Sequence, residues 1–153
     1  MPAFRAKTTI GRPREDVFRF TADLERQSSW LLSVAEVRRL SGARGQPGST
    51  YAQSIREGGG LVDYRLEVAE VELGERFVYF SQPSGEQGPA VRVEYRFSDA
   101  EAGATRVELA FHIRIGPILR LFWPLAFALR RGGSRQVAVV LERLKVGVEG
   151  EGE

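Results

Sequence analysis

Polar side chains at three positions fall among apolar neighbours on predicted strands. The period-two alternation of the chain puts Gln53 on the same side as Tyr51, and it turns Tyr64 and Tyr95 toward the apolar side of their own strands. A buried amide or hydroxyl that lacks a hydrogen bond costs about 1–3 kcal/mol. We therefore predict that Gln53, Tyr64 and Tyr95, with Thr8 as a further candidate, are the polar anchors of an otherwise apolar pocket. The alternative is a filled core in which these groups hydrogen-bond one another or the backbone.

Catalytic and metal-binding patterns give no comparable signal. The chain has no cysteine and a single histidine, His112, whose parity places it with charged residues on the solvent side of its strand. Asp63 and Glu67 also share a solvent face. No Gly-x-Ser-x-Gly motif is present, and the glycines at 42–48 and 58–60 lack a following Gly-Lys-Ser/Thr, so they indicate turns. We expect no metal and no cofactor, and we assign no catalytic residue.

The composition is that of an ordinary globular domain. Of the 153 residues, 42% are hydrophobic and 27% are charged, and the net charge is +2. The length suits one domain, predicted over 1–148, followed by a disordered Gly/Glu tail over 149–153. The 22 Lys and Arg are interleaved with 20 Asp and Glu, a distribution that does not indicate nucleic-acid binding. No apolar leader is visible at the N-terminus, so we expect a cytoplasmic protein.

Hydrophobic periodicity predicts the elements that must position these residues. The facing of one strand stays open, because residues 77–80 are apolar on both sides. Since six to seven strands follow one another in hairpin succession, we expect an α+β fold with an antiparallel sheet. The predicted order is a strand over 4–10, a helix over 13–22, a short helix over 24–31 capped by Asp23, strands over 33–40, 50–57, 61–71, 76–82, 91–98 and 106–114, and a long C-terminal helix.

The C-terminal segment is the most apolar part of the chain. Residues 118–129 are too short, at 12 residues, to span a membrane, which takes about 20. A proline inside a helix costs about 3 kcal/mol, so Pro124 and the glycines at 132–133 predict an interruption. We expect a helical turn at 117–122, a kink at Pro124, and a regular helix over about 134–146.

In that regular helix, Val137, Leu141, Leu144 and Val148 follow a 4-3-4 spacing on one face. The aromatic residues upstream, Phe122, Trp123 and Phe127, have three interpretations. They line a pocket, they pack as plain core, or they form an exposed patch that meets a membrane or a second subunit.

At this point the chain resembles the START-like, helix-grip superfamily, specifically its bacterial polyketide cyclase/dehydrase and lipid-transport group. The resemblance covers about residues 3–146 and is carried by the opening at 10–26 with Trp30, by the hairpin that follows 103–105, and by the terminal helix. It implies a highly curved antiparallel sheet that grips the C-terminal helix, with a hydrophobic cavity between them. Members of the superfamily include cyclases, quinone binders, hormone receptors and lipid carriers. Because they share no universal catalytic motif, the resemblance transfers no functional residue.

Together these observations predict a protein that binds a small hydrophobic ligand, such as a lipid or a polyketide-like or quinone-like molecule. The expected gate consists of Trp30, the loop at 83–89 and the segment at 117–128. The residues predicted to line the cavity are Trp30, Tyr51, Gln53, Tyr64, Leu66, Val93, Tyr95, Leu109, Phe111, Phe122, Trp123 and Phe127.

Two alternative functions stay open. One is a polyketide cyclase/aromatase-type or dehydratase-like enzyme, which we rank below a binding protein because no His, Asp, Glu or Arg is assigned to the inner face. The other is a lipid or quinone carrier that makes transient membrane contact through 118–129, a segment bracketed by Arg120, Arg130 and Arg131. The expected partner is a small hydrophobic molecule, without nucleic acid, and the protein is expected as a monomer or homodimer.

Overall fold

The computed structural model describes residues 3–84, 90–114 and 123–150, and in the last of these ranges it describes side chains from Arg135 onward. The elements are β1 (Ala3–Ile10), α1 (Arg14–Ala22), a 3-10 turn (Leu24–Arg26), α2 (Gln27–Trp30), β2 (Val34–Ser41), β3 (Thr50–Glu57), β4 (Gly60–Glu72), β5 (Arg76–Pro83), β6 (Ala90–Asp99), β7 (Thr105–Arg114) and α3 (Trp123–Gly150).

The seven strands form one antiparallel sheet in the order β1-β7-β6-β5-β4-β3-β2. From β2 to β7, strands that follow one another along the chain pair with each other. The β3–β4 turn needs glycine, because Gly58 and Gly59 have φ values of 57° and 83°. The exception is β1, which is an edge strand and pairs with β7. In this pair Phe4 lies opposite Phe111. The predicted α+β class and antiparallel sheet are confirmed.

One face of the sheet, called here the inner face, packs against the helices. Phe77 and Tyr79 of β5 belong to the core on this inner face, whereas Val78 and Phe80 lie on the opposite, outer face. The facing of β5, which the sequence left open, is settled in this way. Val78 is nevertheless fully buried, and its cross-strand neighbours Glu70 and Glu94 form ion pairs with arginines on the outer face.

Helix α3 is one continuous helix of 28 residues. Its predicted apolar face is confirmed, because Val137, Leu141, Leu144 and Val148 are all buried in the core. It packs chiefly on β1 and also contacts β7. No helix in the described ranges is both long and apolar enough to cross a membrane.

The predicted division of this segment is wrong in two respects. Pro124 lies in the first turn of α3, where its missing N–H breaks no intrahelical hydrogen bond, so the helix begins there rather than near 134. The predicted disordered tail is also too long, because Glu149 and Gly150 belong to the helix, and residues 151–153 lie outside the described ranges. The turn predicted at 117–122 lies outside them as well.

The short helices connect the sheet edge to α3. Phe18 of α1 makes an edge-to-face contact with Phe97 on β6, with ring centroids 5.3 Å apart. The predicted cap at Asp23 is wrong, because its side chain makes no capping hydrogen bond to the 3-10 turn that follows. The helix predicted over 24–31 is instead a 3-10 turn followed by the single turn of α2, which brings Gln27 and Trp30 into the interior.

Candidate functional site

A chain of three neutral side chains crosses the inner face of the sheet. Gln53 on β3 donates from Nε2 to Oε1 of Gln27 at 2.6 Å, and Gln27 donates from Nε2 to the hydroxyl of Tyr79 on β5 at 3.2 Å. Strand β4 lies between β3 and β5. Gln27, which is part of α2, therefore links β3 to β5 across β4. The three residues are buried, with relative exposures of 1% for Gln27, 5% for Gln53 and 7% for Tyr79. We call Gln53, Gln27 and Tyr79 the inner polar chain.

Only one member of the inner polar chain was predicted. Gln53 was identified because it interrupts an alternating strand, and the structure confirms that it lies on the inner face with Tyr51. Gln27 was missed, although its spacing of three from both Leu24 and Trp30 puts it on the buried side of the short helix. Tyr79 was missed because the surrounding sequence is apolar on both faces.

Tyr79 and Tyr95 are buried close to each other on neighbouring strands. Burial raises the pKa of Tyr79 to about 12, against a smaller opposing effect of the hydrogen bond from Gln27. Burial also raises the pKa of Tyr95 well above its ordinary value, and nearby Tyr79 adds to the rise. Both hydroxyls are therefore protonated and uncharged at physiological pH. Among the described residues, neither hydroxyl has an acceptor for its proton.

The hydroxyls of the other two predicted tyrosines form hydrogen bonds outside the inner polar chain. The hydroxyl of Tyr51 accepts a hydrogen bond from the backbone N–H of Gly45 at 2.8 Å, in the loop before β3. Tyr64 is half-buried at the end of the sheet, and its hydroxyl donates to the exposed Glu57 at 2.9 Å. Desolvation and this bond to Glu57 raise the pKa of Tyr64. Neither side chain joins the inner polar chain.

Apolar inner-face side chains become more exposed toward one end of the sheet. On β7, Val107 and Leu109 are fully buried, whereas Phe111 and Ile113 further along the strand are half-buried. The same change occurs at the paired end of β6, where Val91 is half-buried opposite Ile113. On β3 and β4 it continues at Ile55, Val62 and Tyr64. We call this the open end of the inner face; it lies at the β3–β4 turn, the last residues of β5 and the first residues of β6.

The remaining predicted residues divide into core and undescribed positions. Leu66, Val93 and Leu109 are buried on the inner face among the core residues. Thr8 is half-buried on the edge strand β1. Phe122 lies outside the described residues, and for Trp123 and Phe127 the structure describes the helix but not the side chains. The predicted lining by these three, and the gate at 83–89 and 117–128, remain predictions.

Trp30 is placed between helices. Its ring lies 6.3 Å from that of Phe20, and its Cβ lies beside Gly147 of α3. The indole is 5% exposed, and its N–H finds no acceptor among the described residues. Its role as a cavity-lining or gating residue remains a prediction.

The outer face carries charged groups instead. As predicted, His112 lies there, and its Nε2 is 3.9 Å from the carboxylate of Glu94. Partial burial lowers the pKa of His112, and the charges of Arg92 and Arg5 lower it further. The described side chains contain no cluster of acidic residues and histidine that would hold a metal ion.

Solved structures with the same fold cover nearly the whole chain. TTHA0849 of Thermus thermophilus has a TM-score of 0.73 at 22% identity, over 99% of this chain and 100% of its own. A START superfamily protein of Mycobacterium smegmatis has a TM-score of 0.75 at 10% identity, over 97% of both chains. The Zhui aromatase/cyclase of Streptomyces sp. R1128 has a TM-score of 0.66 at 14% identity, over 96% of this chain and 95% of its own. At such identities the likeness concerns the fold and not the activity.

No curated protein sequence matches the chain. The sequence pattern of one family, described as polyketide cyclase / dehydrase and lipid transport, extends over residues 1–149. That range includes every described element except the last residue of α3, and the START-type fold confirms the helix-grip resemblance. The chain therefore belongs to the polyketide cyclase/dehydrase and lipid-transport family.

Proposed function

We propose that the protein binds a small hydrophobic ligand between the inner face of the sheet and the helices. The observation that carries this proposal is the open end of the inner face, where Val91, Phe111 and Ile113 pack against the core and yet stay half-exposed. A filled core leaves few such side chains in contact with water, because each Å² of apolar surface buried is worth roughly 25 cal/mol. A ligand seated there would bury this surface.

The polar composition of the inner face supports a binding protein over a cyclase. The buried polar residues on this face, among those described, are glutamines, tyrosines and Thr105, none of them charged. Protonated tyrosines can donate hydrogen bonds to a carbonyl group, but they do not remove a proton near neutral pH. Lipids, polyketide-like molecules and quinone-like molecules fit this description equally well. Membrane docking through 118–129 remains a prediction.

A matched pair of phenylalanines on opposite faces tests the proposal. Phe111 lies on the inner face at the open end, and Phe80 lies on the outer face; both are half-buried. We expect the neutral dye Nile red to bind the protein with enhanced fluorescence. Phe111→Ala should weaken its affinity by about tenfold, since about 1.4 kcal/mol of apolar contact is lost.

The control variant is Phe80→Ala, which should leave the affinity for Nile red within about twofold of the parent, since it removes a ring of the same size from the other face. Equal losses in both variants, or dye binding that neither variant alters, would contradict a site on the inner face. Native mass spectrometry of protein purified from its own host would then show whether any molecule accompanies the chain.

A further inference from the structure

The hydrogen-bond directions in the inner polar chain leave defined groups at its two ends. Gln27 accepts from Gln53 through Oε1 and donates to Tyr79 through Nε2, so both ends of its amide are used. The oxygen of Tyr79 accepts from Gln27, which leaves its O–H proton to be donated onward. At the other end, no described residue donates to the amide oxygen of Gln53. The chain therefore ends in one donor and one acceptor.

Buried polar groups of this kind are almost always hydrogen-bonded. Tyr79 and Gln53 are 7% and 5% exposed, and the groups left at the two ends of the chain have no partner among the described residues. Tyr95 lies next to Tyr79 and offers a second hydroxyl that has no partner among the described residues. Tyr79 and Tyr95 thus lie on neighbouring strands of the inner face, each with a hydroxyl proton that no described residue accepts.

The charge of the surroundings limits which ligand groups fit there. Burial keeps the Tyr79 hydroxyl protonated, with a pKa of about 12, so it offers a neutral donor and not a phenolate. The described part of the buried inner face has no cation to neutralise an anion and no carboxylate to neutralise an ammonium group. An ion buried beside neutral groups alone loses more hydration free energy than these hydrogen bonds restore.

We infer that the ligand carries an uncharged hydrogen-bond acceptor, such as a ketone, ester or quinone carbonyl, which the hydroxyl of Tyr79 binds on the inner face. This inference rests on the proposed function and adds the chemistry of the ligand's polar end. Because the described residues offer no opposite charge there, we expect fatty-acid anions and quaternary ammonium lipids to bind more weakly at the same position. A hydroxyl on the ligand would also fit, because it can donate to the amide oxygen of Gln53.

A ligand series of matched chain length tests the inference. Undecan-2-one, decanoate and decyltrimethylammonium would each be used to displace Nile red at pH 8. We expect the ketone to displace the dye at a concentration at least about tenfold lower than either ion, because each ion loses more hydration than the neutral carbonyl. Decanoate should gain affinity as the pH is lowered toward its own pKa, when it becomes neutral.

Two variants complete the test. Tyr79→Phe should reduce the ketone's affinity by about tenfold and leave the ions unchanged, since it removes the donor but keeps the ring. Ser54→Ala is the control, because the hydroxyl it removes lies on the outer face, where it donates to Asp63, and it should keep the preference for the ketone.

The failing outcomes are distinct. The inference would be overturned if the ketone and the ions displaced Nile red equally well, or if Tyr79→Phe left the affinity for the ketone unchanged. In both cases the binding of Nile red itself would leave the proposed function in place. The second of these results would mean that a water molecule takes the Tyr79 proton. Absence of any Nile red binding would overturn both.

Discussion

A carboxylate in the middle of the outer sheet face is held ionised by arginines on its own strand and on the neighbouring one. Glu94 on β6 is only 6% exposed, and its oxygens lie 3.1 Å from Arg92, 3.1 Å from Arg96 and 3.6 Å from Arg76 on β5. Burial alone would raise the pKa of Glu94, but the hydrogen bond and charge of Arg92, with the charges of Arg96 and Arg76, outweigh it and lower the pKa. Glu94 therefore stabilises the fold as an anion.

The pH dependence of a Glu94→Gln variant follows from the direction of this shift. Because the folded-state pKa is lowered, the ionised carboxylate contributes stability above the unfolded-state pKa of about 4.3, and this contribution is lost as the pH falls through the folded-state pKa. We expect Glu94→Gln to lower the free energy of unfolding by about 2 kcal/mol at pH 7. Urea unfolding between pH 7 and pH 3.5 should show this deficit shrinking below about pH 4.3.

Glu108→Gln supplies the comparison, because Glu108 is exposed on the same face and lies 3.9 Å from Arg106. Its effect should stay within about 0.5 kcal/mol at any pH. The two variants could instead lose equal free energy of unfolding, or the loss in Glu94→Gln could stay constant with pH. Either result would show that the negative charge of Glu94 does not stabilise the fold.

At the scale of the elements, a glycine sets how closely α2 approaches α3. A Cβ atom added at Gly147 would lie 2.9 Å from the Cβ of Trp30 and 3.0 Å from the ring of Phe20. The first of these atoms is attached directly to the backbone, so it cannot move away without shifting the helix. The contact between α2 and α3 therefore requires a residue without a side chain at this position.

Substitution of Gly147 by alanine should destabilise the protein in spite of the higher helix propensity of alanine. The propensity gain is about 1 kcal/mol, whereas overpacking costs about 1–3 kcal/mol, so we expect a net loss of roughly 1 kcal/mol by chemical denaturation. Gly150→Ala in the same helix is the matched control, since nothing lies within 4 Å of an added Cβ there. A stabilised Gly147→Ala variant would show that the two helices separate easily.

At the scale of the whole molecule, the last turn of α3 is held against the residues that follow β1. Glu149, in the last turn of α3, accepts a hydrogen bond from the backbone N–H of Gly11 at 2.9 Å, and its carbonyl oxygen accepts one from Arg12 at 2.6 Å. Gly11 and Arg12 follow β1, the strand on which α3 packs. These contacts fix the end of the helix over the first strand, so the domain extends past the boundary predicted at 148.

A Glu149→Ala variant should therefore lower the free energy of unfolding by about 1 kcal/mol, because the hydrogen bond from the Gly11 N–H to a charged acceptor is lost. Glu142→Ala removes an exposed glutamate from the same helix and should change it by less than about 0.5 kcal/mol. Thermal unfolding of both proteins measures the difference. If the two variants unfold at the same temperature, the contact between Glu149 and Gly11 does not contribute to stability.

Local pattern alone predicted most of the elements. The strands over 50–57 and 76–82 agree with β3 and β5 to within a residue, because alternation and glycine turns are properties of short segments. The apolar face of α3 was found for the same reason. The length of α3 was not predicted, because the cost of Pro124 depends on where the helix begins, and local composition does not fix that position.

By itself, the sequence determined the fold class, the two faces of most strands and the presence of Gln53 among inner-face residues. The tertiary structure alone decided that Gln27 reaches over β4 to join Gln53 with Tyr79, and that Glu94 is buried on the outer face. Periodicity reports which side of its own element a residue occupies. It does not report which side chains from distant segments meet there, because that depends on sheet order and on the seating of the helices, which follow from long-range packing.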